Sequence, residues 1–229
     1  MPAKNSQKSY IAKSYYHLYN RGVEKREIFL DRQDYAVFLS YLKEYLLPKD
    51  SKALQKKLSD PTIAWTVKDR MLKALRMNNF YDELSLPAFA LMPNHFHLLI
   101  WQVSETVIDQ FMNSLATRYS MYFNRKYKRV GPLYQGVYKA VLVESDEQLL
   151  HLTRYIHRNP LTLQGVALQR LTEYPTSYAE YQGVRKTSWV HTQDILKFFS
   201  ATNPSLSYRA FVEAEADASG MSTLLIDEE

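Results

Sequence analysis

Residues 87–92 and 95–102 are two apolar runs separated only by Pro93 and Asn94. Each run has the length of one strand, and the proline and asparagine between them supply a tight turn, so the pair reads as an antiparallel hairpin. The neighbouring segments narrow the fold further. Residues 15–20 alternate like a strand and end at Arg21-Gly22, and Asp31 can cap a helix in which Tyr35, Phe38, Leu39, Leu42 and Leu46 recur at helical spacing until Pro48. Residues 49–86 read as a lysine-rich insertion broken by Asp60-Pro61, with one helix expected over about 64–77 and no visible chemistry. Ser104 is expected to open a long helix with Val107, Ile108, Phe111, Met112, Leu115, Tyr119, Tyr122 and Phe123 as its buried stripe. A strand over about 137–143 follows, and then a helix with a Ser145/Gln148 capping box that stops at Pro160. Strand, helix, two strands, helix, strand is the order of an α+β, ferredoxin-like (split βαβ) antiparallel sheet with helices on one face.

The chemistry is bounded by what the chain lacks. Its 229 residues contain no cysteine, which excludes disulfides, thiolate metal sites and cysteine nucleophiles. A metal must then sit on His, Asp, Glu, Asn or Gln, and covalent chemistry on Ser, Thr, Lys or one of eighteen tyrosines. No run of eighteen apolar residues occurs and residues 1–10 are polar, so a soluble cytoplasmic protein without a membrane partner is expected.

Charge is unevenly spread. Residues 1–160 hold 24 Lys and Arg against 15 Asp and Glu, a net +9, whereas residues 161–229 hold 5 against 9, a net −4. Between Asp109 and Glu144 the cations Arg118, Arg125, Lys126, Lys128, Arg129 and Lys139 occur without an acid, interleaved with Tyr119, Tyr122, Tyr127, Tyr134 and Tyr138. Cations for phosphates and rings for base stacking suit single-stranded nucleic acid. The plainer reading is a solvated helix face whose tyrosines are half core.

Two of the six histidines, His95 and His97, lie two apart in the strand HFHLLIWQ. Both imidazoles therefore project from one face, where they could hold one cation, while Phe96 faces the other way. A pair of ordinary hydrogen-bonded histidines is the plain alternative, but the apolar run 98–101 puts the pair in a central strand, where polar rings are costly unless they line a site. On the last helix His151, Tyr155 and Asn159 are spaced by four and share a face. That spacing can set a tyrosine hydroxyl beside a cation that the amide also binds; core packing for Tyr155 and a C-terminal cap for Asn159 are the alternatives. Tyr119 and Tyr122 are rival nucleophiles without an oxygen ligand one turn away. Together these residues describe metal-assisted phosphoryl transfer with a tyrosine nucleophile.

The motif MPNHFHLLI, with YNRGVEKREIFLDRQDY upstream and GPLYQGVYKAVLVESDEQLLHLTRYIHRNP downstream, resembles the REP-associated tyrosine transposases, a branch of the single-tyrosine HUH transposases of bacterial insertion sequences. The resemblance spans about residues 12–200, interrupted by 49–86. It implies a ferredoxin-like HUH nuclease domain that cuts single-stranded DNA beside a short imperfect hairpin with Mg2+ or Mn2+, leaving a 5'-phosphotyrosine and a free 3'-hydroxyl. It further implies His95, His97 and Asn159 as metal ligands and Tyr155 as nucleophile. Arg118, Arg125, Lys126, Lys128, Arg129, Tyr134, Lys139 and Arg158 are the candidate DNA contacts. Two positions depart from the family pattern: Val137 stands where an arginine is common, and residues 161–163 replace the usual Val-Arg. The expected organisation is a nuclease domain over 1–165 and a C-terminal extension over 166–229, which in the family packs on that domain, with an acidic tail disordered after about Asp217. A monomer is expected. A non-catalytic single-stranded nucleic-acid binding module is the other function such a sheet could serve; a hydrolase without a covalent intermediate would need acidic ligands that the sequence does not offer.

Overall fold

The computed structural model describes residues 9–214. Four strands, β1 (Ser14–Arg21), β2 (Leu84–Met92), β3 (His95–Gln102) and β4 (Lys139–Val143), form one antiparallel sheet in the order β2-β3-β1-β4. This is the split βαβ arrangement. The hairpin turns at Pro93-Asn94 with Met92 opposite His95, and β1 lies between β3 and β4, with Tyr19 opposite His97 on one side and Lys139 on the other. β4 begins at Lys139 rather than 137, because the Tyr138 ring turns inward and its hydroxyl meets Asp109 and the Tyr10 hydroxyl.

Between β1 and β2 the chain forms α1 (Arg32–Leu46), α2 (Ser51–Leu58) and α3 (Trp65–Arg76). A reciprocal capping box starts α1, with Asp31 accepting from Asp34 N–H and Asp34 from Asp31 N–H. The insertion holds two helices instead of the one expected. Asp50 caps the additional helix by accepting from the Ala53 N–H at 2.8 Å. Lys49 closes the base of this hairpin by donating to the carbonyls of Leu75 and Met77. Asn79 then caps α1 through the carbonyls of Glu44 and Leu47, so the insertion leaves and rejoins the fold at one place.

Next come α4 (Val107–Lys126) and α5 (Asp146–Arg158). α4 begins three residues later than the Ser104 start expected from sequence: no side chain caps it from its N-cap position, and the buried Gln102 amide oxygen instead accepts from the Ile108 N–H. Ser145 caps α5 as expected, but Gln148 reaches the Glu144 N–H rather than that of Ser145, which leaves half a capping box.

Alternation along the strands creates two cores. Leu18, Phe89, Leu91, Phe96, Leu98 and Ile100 pack on α1 and α4 through Phe38, Leu42, Phe111, Leu115 and Tyr119. The opposite face presents Ala88, Ala90, Leu99 and Val143 to Leu149, Leu152 and Ile156 of α5. Beyond α5 the chain adds α6 (Tyr178–Tyr181), α7 (Gln193–Leu196) and α8 (Tyr208–Glu213), whose Tyr178, Tyr181, Ile195, Tyr208 and Val212 complete this second core. The sheet is thus covered on both faces, the second layer coming from α5 and the C-terminal segment. That segment also lies along the free edge of β2: Leu91 N–H donates to the Pro175 carbonyl and Ser177 N–H to that of Phe89, and Trp189 stacks on Phe89 with ring centres 5.7 Å apart. An exposed strand edge is thereby covered. The expected disorder after Asp217 lies outside the described residues.

One buried carboxylate ties the first layer together. Asp34 is fully buried and accepts from the Lys126 ammonium at 2.7 Å, the Tyr122 and Tyr127 hydroxyls at 2.9 and 2.8 Å, and the Leu30 N–H at 2.8 Å. Burial opposes its ionisation, but Lys126 and these donors prevail and hold the carboxyl below the usual range. Asp34→Ala removes the buried acceptor that they share, leaving Lys126 and Tyr127 only Asp31, and is expected to cost about 3–5 kcal/mol. Urea unfolding measures this; a loss under about 1 kcal/mol, the scale of a surface pair, contradicts the role assigned to Asp34.

Candidate active site

The antiparallel register decides which side chains meet. On β3, Phe96, Leu98 and Ile100 point to the α1/α4 core, so His95 and His97 point to the face covered by α5. On β1 the same alternation puts Tyr15, His17, Tyr19 and Arg21 on that face. α5 crosses here because Ala88 and Ala90 of β2 are small enough to let it approach, and the chain after it continues as a 3₁₀ turn, Asn159–Thr162, in which Pro160 prevents further α-helix. Asn159 is thereby fixed, nearly fully buried, over the histidines.

Asn159 bridges both rings. Its Oδ1 lies 3.1 Å from His95 Nε2 and its Nδ2 lies 3.3 Å from His97 Nε2. The outer nitrogens are also engaged: His95 Nδ1 is 2.7 Å from Asn94 Oδ1, and His97 Nδ1 is 2.8 Å from His17 Nε2. Asn94 gives its own Nδ2 to the Lys25 carbonyl at 3.3 Å, which fixes the amide so that its oxygen faces His95. His95 Nδ1 is therefore the protonated nitrogen, and in the neutral ring Nε2 keeps a lone pair directed at another acceptor, Asn159 Oδ1. A positive charge between two such acceptors turns their repulsion into attraction. Tyr155, half-buried one turn before Asn159, stands edge-on to His97 with ring centres 5.4 Å apart and edge-on to His17 at 6.3 Å.

The burial of this cluster sets its protonation. His97 is wholly buried, and burial, with His17 and His95 beside it, holds its pKa well below the usual imidazole value. Burial lowers His17 to about 3. Both rings are neutral at pH 7, which is the form that binds metal. Among the described residues no three His, Asp or Glu side chains are placed to hold a metal ion together, so the candidate donor set is His95 Nε2, His97 Nε2 and Asn159 Oδ1. The 3.1 Å between His95 Nε2 and Asn159 Oδ1 suits adjacent ligands of an octahedral cation, which at about 2.1 Å from the ion stand about 3 Å apart; the 3.3 Å contact of His97 Nε2 is with the amide nitrogen.

The structure therefore brings together His95, His97, Tyr155 and Asn159. It removes His151, whose ring lies edge-on to Phe211 at 5.7 Å. The rival tyrosines belong to the other face: Tyr119 donates to the Ile28 carbonyl at 2.6 Å and Tyr122 to Asp34.

The proposed DNA contacts divide into two groups. Arg125, Lys128 and Lys139 are exposed, and Lys139, opposite Tyr19 on β4, shares the face of the histidines. The others also make contacts within the protein. Tyr134 is buried edge-on to Phe96 and presents no ring for stacking. Lys126 is held by Asp31 and Asp34, and Arg118 pairs with Glu44 at 2.7 Å while lying over the Tyr41 ring. Arg129 donates to Asn124, and Arg158 donates to the carbonyls of Val212 and Ala214.

Three site neighbours, His17, Tyr19 and Arg21, escaped the sequence reading. Their signal was present as the alternation Tyr15-His17-Tyr19-Arg21 in the strand that a split βαβ order places beside β3.

Residues 55–159 match the family described as "Transposase IS200 like", a span that contains His95, His97, Tyr155 and Asn159. No curated protein matches the chain. Among solved structures it is similar to a REP-associated tyrosine transposase bound to a REP hairpin, at 13% identity and a TM-score of 0.42, over 82% of this chain and 97% of that one. It is also similar to a protein from Deinococcus radiodurans R1 provisionally named a transposase, at 17% identity and a TM-score of 0.34, over 68% and 97% of the two chains.

The buried neutral histidines make stability acid-sensitive. Burial lowers His157 to about 3 as well, where its ring is held between the Tyr208 hydroxyl at 2.6 Å and Ser177 Oγ at 2.7 Å. In the unfolded chain these imidazoles titrate near 6.5, so between pH 6.5 and 3 unfolding takes up protons that the folded state refuses. The stability is complete above pH 7 and falls with acidity, by about 2 kcal/mol at pH 5 for each of His17 and His157. Urea titrations at pH 7.5 and 5.0 test this: His157→Gln should shrink the difference between the two pH values, and an unchanged difference contradicts it.

Proposed function

We propose, from the match of residues 55–159 to the IS200-like transposase family, that this chain is a transposase of that kind: a metal-dependent endonuclease and strand transferase acting on single-stranded DNA beside a hairpin. The observation that carries this reading is the convergence of two imidazole Nε2 atoms and one amide oxygen beside a tyrosine on the helix that supplies the amide. His95, His97 and Asn159 are the groups that would hold a Mg2+ or Mn2+ ion. Such an ion, when bound, polarises a phosphodiester and favours the ionised form of a nearby phenol, which alone is a weak nucleophile at neutral pH.

The chain's own residues do the rest. Tyr155 supplies the attacking oxygen: its bond to phosphorus forms as the bond from phosphorus to the 3'-oxygen breaks, the phenolic proton is lost to solvent and the departing oxygen becomes a 3'-hydroxyl. The resulting 5'-phosphotyrosine keeps the energy of the phosphodiester for rejoining. Arg125, Lys128 and Lys139, exposed at the end of α4 and on β4, are the cations available for phosphates. The hairpin partner is proposed from the family and accords with the REP hairpin held by the structural neighbour. Among the described residues no helix is long and apolar enough to cross a membrane.

Incubation of the protein with a hairpin-bearing single-stranded oligonucleotide and Mn2+, followed by denaturing electrophoresis, tests the reading. Wild type should give a denaturant-resistant protein–DNA adduct mapping to the peptide that contains Tyr155. Tyr155→Phe should bind the DNA but cut it at least 10³-fold more slowly, on the order of the loss seen when a nucleophile is removed. Cleavage without an adduct would show attack by water, and binding without cleavage in wild type would show a binding module; either result sinks the proposal.

A further inference from the structure

We propose that His17 is a positioning residue: it fixes the tautomer of His97 and thereby aims the His97 Nε2 lone pair into the cation site. This rests on the reading of His95, His97 and Asn159 as the metal-holding groups. Asn159 turns its oxygen to His95 Nε2, which leaves its Nδ2 facing His97 Nε2 at 3.3 Å. The amide nitrogen is a donor, so the facing His97 nitrogen is the unprotonated one and the His97 proton sits on Nδ1. Its acceptor is His17 Nε2 at 2.8 Å, with the two ring planes inclined by only 23°.

The consequence falls on the far side of His17. Having accepted through Nε2, the neutral ring must carry its proton on Nδ1, and that atom is buried with no hydrogen-bond partner among the described residues. A buried donor without an acceptor is costly. The opposite tautomer leaves a bare and equally unpartnered nitrogen at that position. It would donate from His17 Nε2 to His97 Nδ1, move the His97 proton to Nε2 and close the lone pair on the site side. With Asn159 Nδ2 donating to His97 Nε2, the first arrangement holds: the unsatisfied N–H lies outside the site and the His97 Nε2 lone pair is turned toward it. A purely structural ring at position 17 would carry no such directional requirement, whereas an acceptor at the place of Nε2 would reproduce it. Glutamine reaches that place with Oε1; phenylalanine fills the volume without an acceptor.

Two measurements on the full-length protein test the inference. Calorimetric titration with Mn2+ should show binding weakened by about 10–100-fold in His17→Phe, the usual effect of removing a metal ligand's hydrogen-bond partner, with most of the affinity regained in His17→Gln. Nitrogen-15 spectra of the imidazoles in metal-free wild type should place the His97 proton on Nδ1, and in His17→Phe should show part of it on Nε2. A His97 proton on Nε2 in wild type overturns the inference, and because that spectrum needs no variant it decides even if His17→Phe misfolds. Equal Mn2+ affinity in wild type and a folded His17→Phe also overturns it and leaves the metal reading standing. A wild-type protein that binds no Mn2+ overturns both.

Discussion

The pairing register of β1 against β3 is the constraint on which the site depends. With Tyr19 opposite His97 and His17 opposite Leu99, the side chains of His17 and His97 fall on the same face and come within 2.8 Å. A slip of one residue in β3 would turn His95 and His97 into the aromatic layer around Phe38 and Tyr119 and bring Phe96 out. The register is protected by the same alternation: Leu18, Phe96, Leu98 and Ile100 are all buried to 1% exposure or less on the opposite face, and none could be exchanged for an imidazole without losing packing and burying an unsatisfied polar group. The core thus positions the site by excluding polar rings from the other face.

The second half of the site is brought by α5, whose placement depends on segments far along the chain. Ala88 and Ala90 let it approach β2, and Leu152 and Ile156 bury there. Its outer side is then held by the C-terminal segment: His157 is gripped by Tyr208 and Ser177, while Arg154 and Arg158 donate to the carbonyl of Ala214. Tyr155 and Asn159 consequently sit on a helix fixed from both sides. Chemistry that needs an attacking oxygen at a defined place relative to a phosphate gains from such a rigid support.

Much of this was legible in the sequence. The period-2 pattern around Pro93-Asn94, the helical stripe of α4 and the His-Phe-His spacing carry their meaning locally, and so the sheet order and the histidine pair followed from them. Where one tertiary contact decides, sequence was less informative. Ser104 has the look of a helix cap, yet the Gln102 amide takes the Ile108 N–H and the helix starts later. Arg118, Lys126 and Arg158 read as free cations because Glu44, Asp34 and the Val212 carbonyl lie 74, 92 and 54 residues away in the chain. Tyr134 reads as a stacking ring because nothing local to it says that Phe96 will cover it. His17 shows the converse: its alternation was visible, but its value lies in a contact with His97, 80 residues distant.

The central claim is that His95, His97 and Asn159 form one cation site. Diffraction from crystals of the full-length protein grown with Mn2+, collected at a wavelength where manganese scatters anomalously, tests it most directly. The account predicts an anomalous peak within about 2.0–2.4 Å of His95 Nε2, His97 Nε2 and Asn159 Oδ1, the usual range for ligands of such ions. A Mn2+-saturated crystal with its peak elsewhere, or with Asn159 still bridging the two rings and no peak between them, would contradict it.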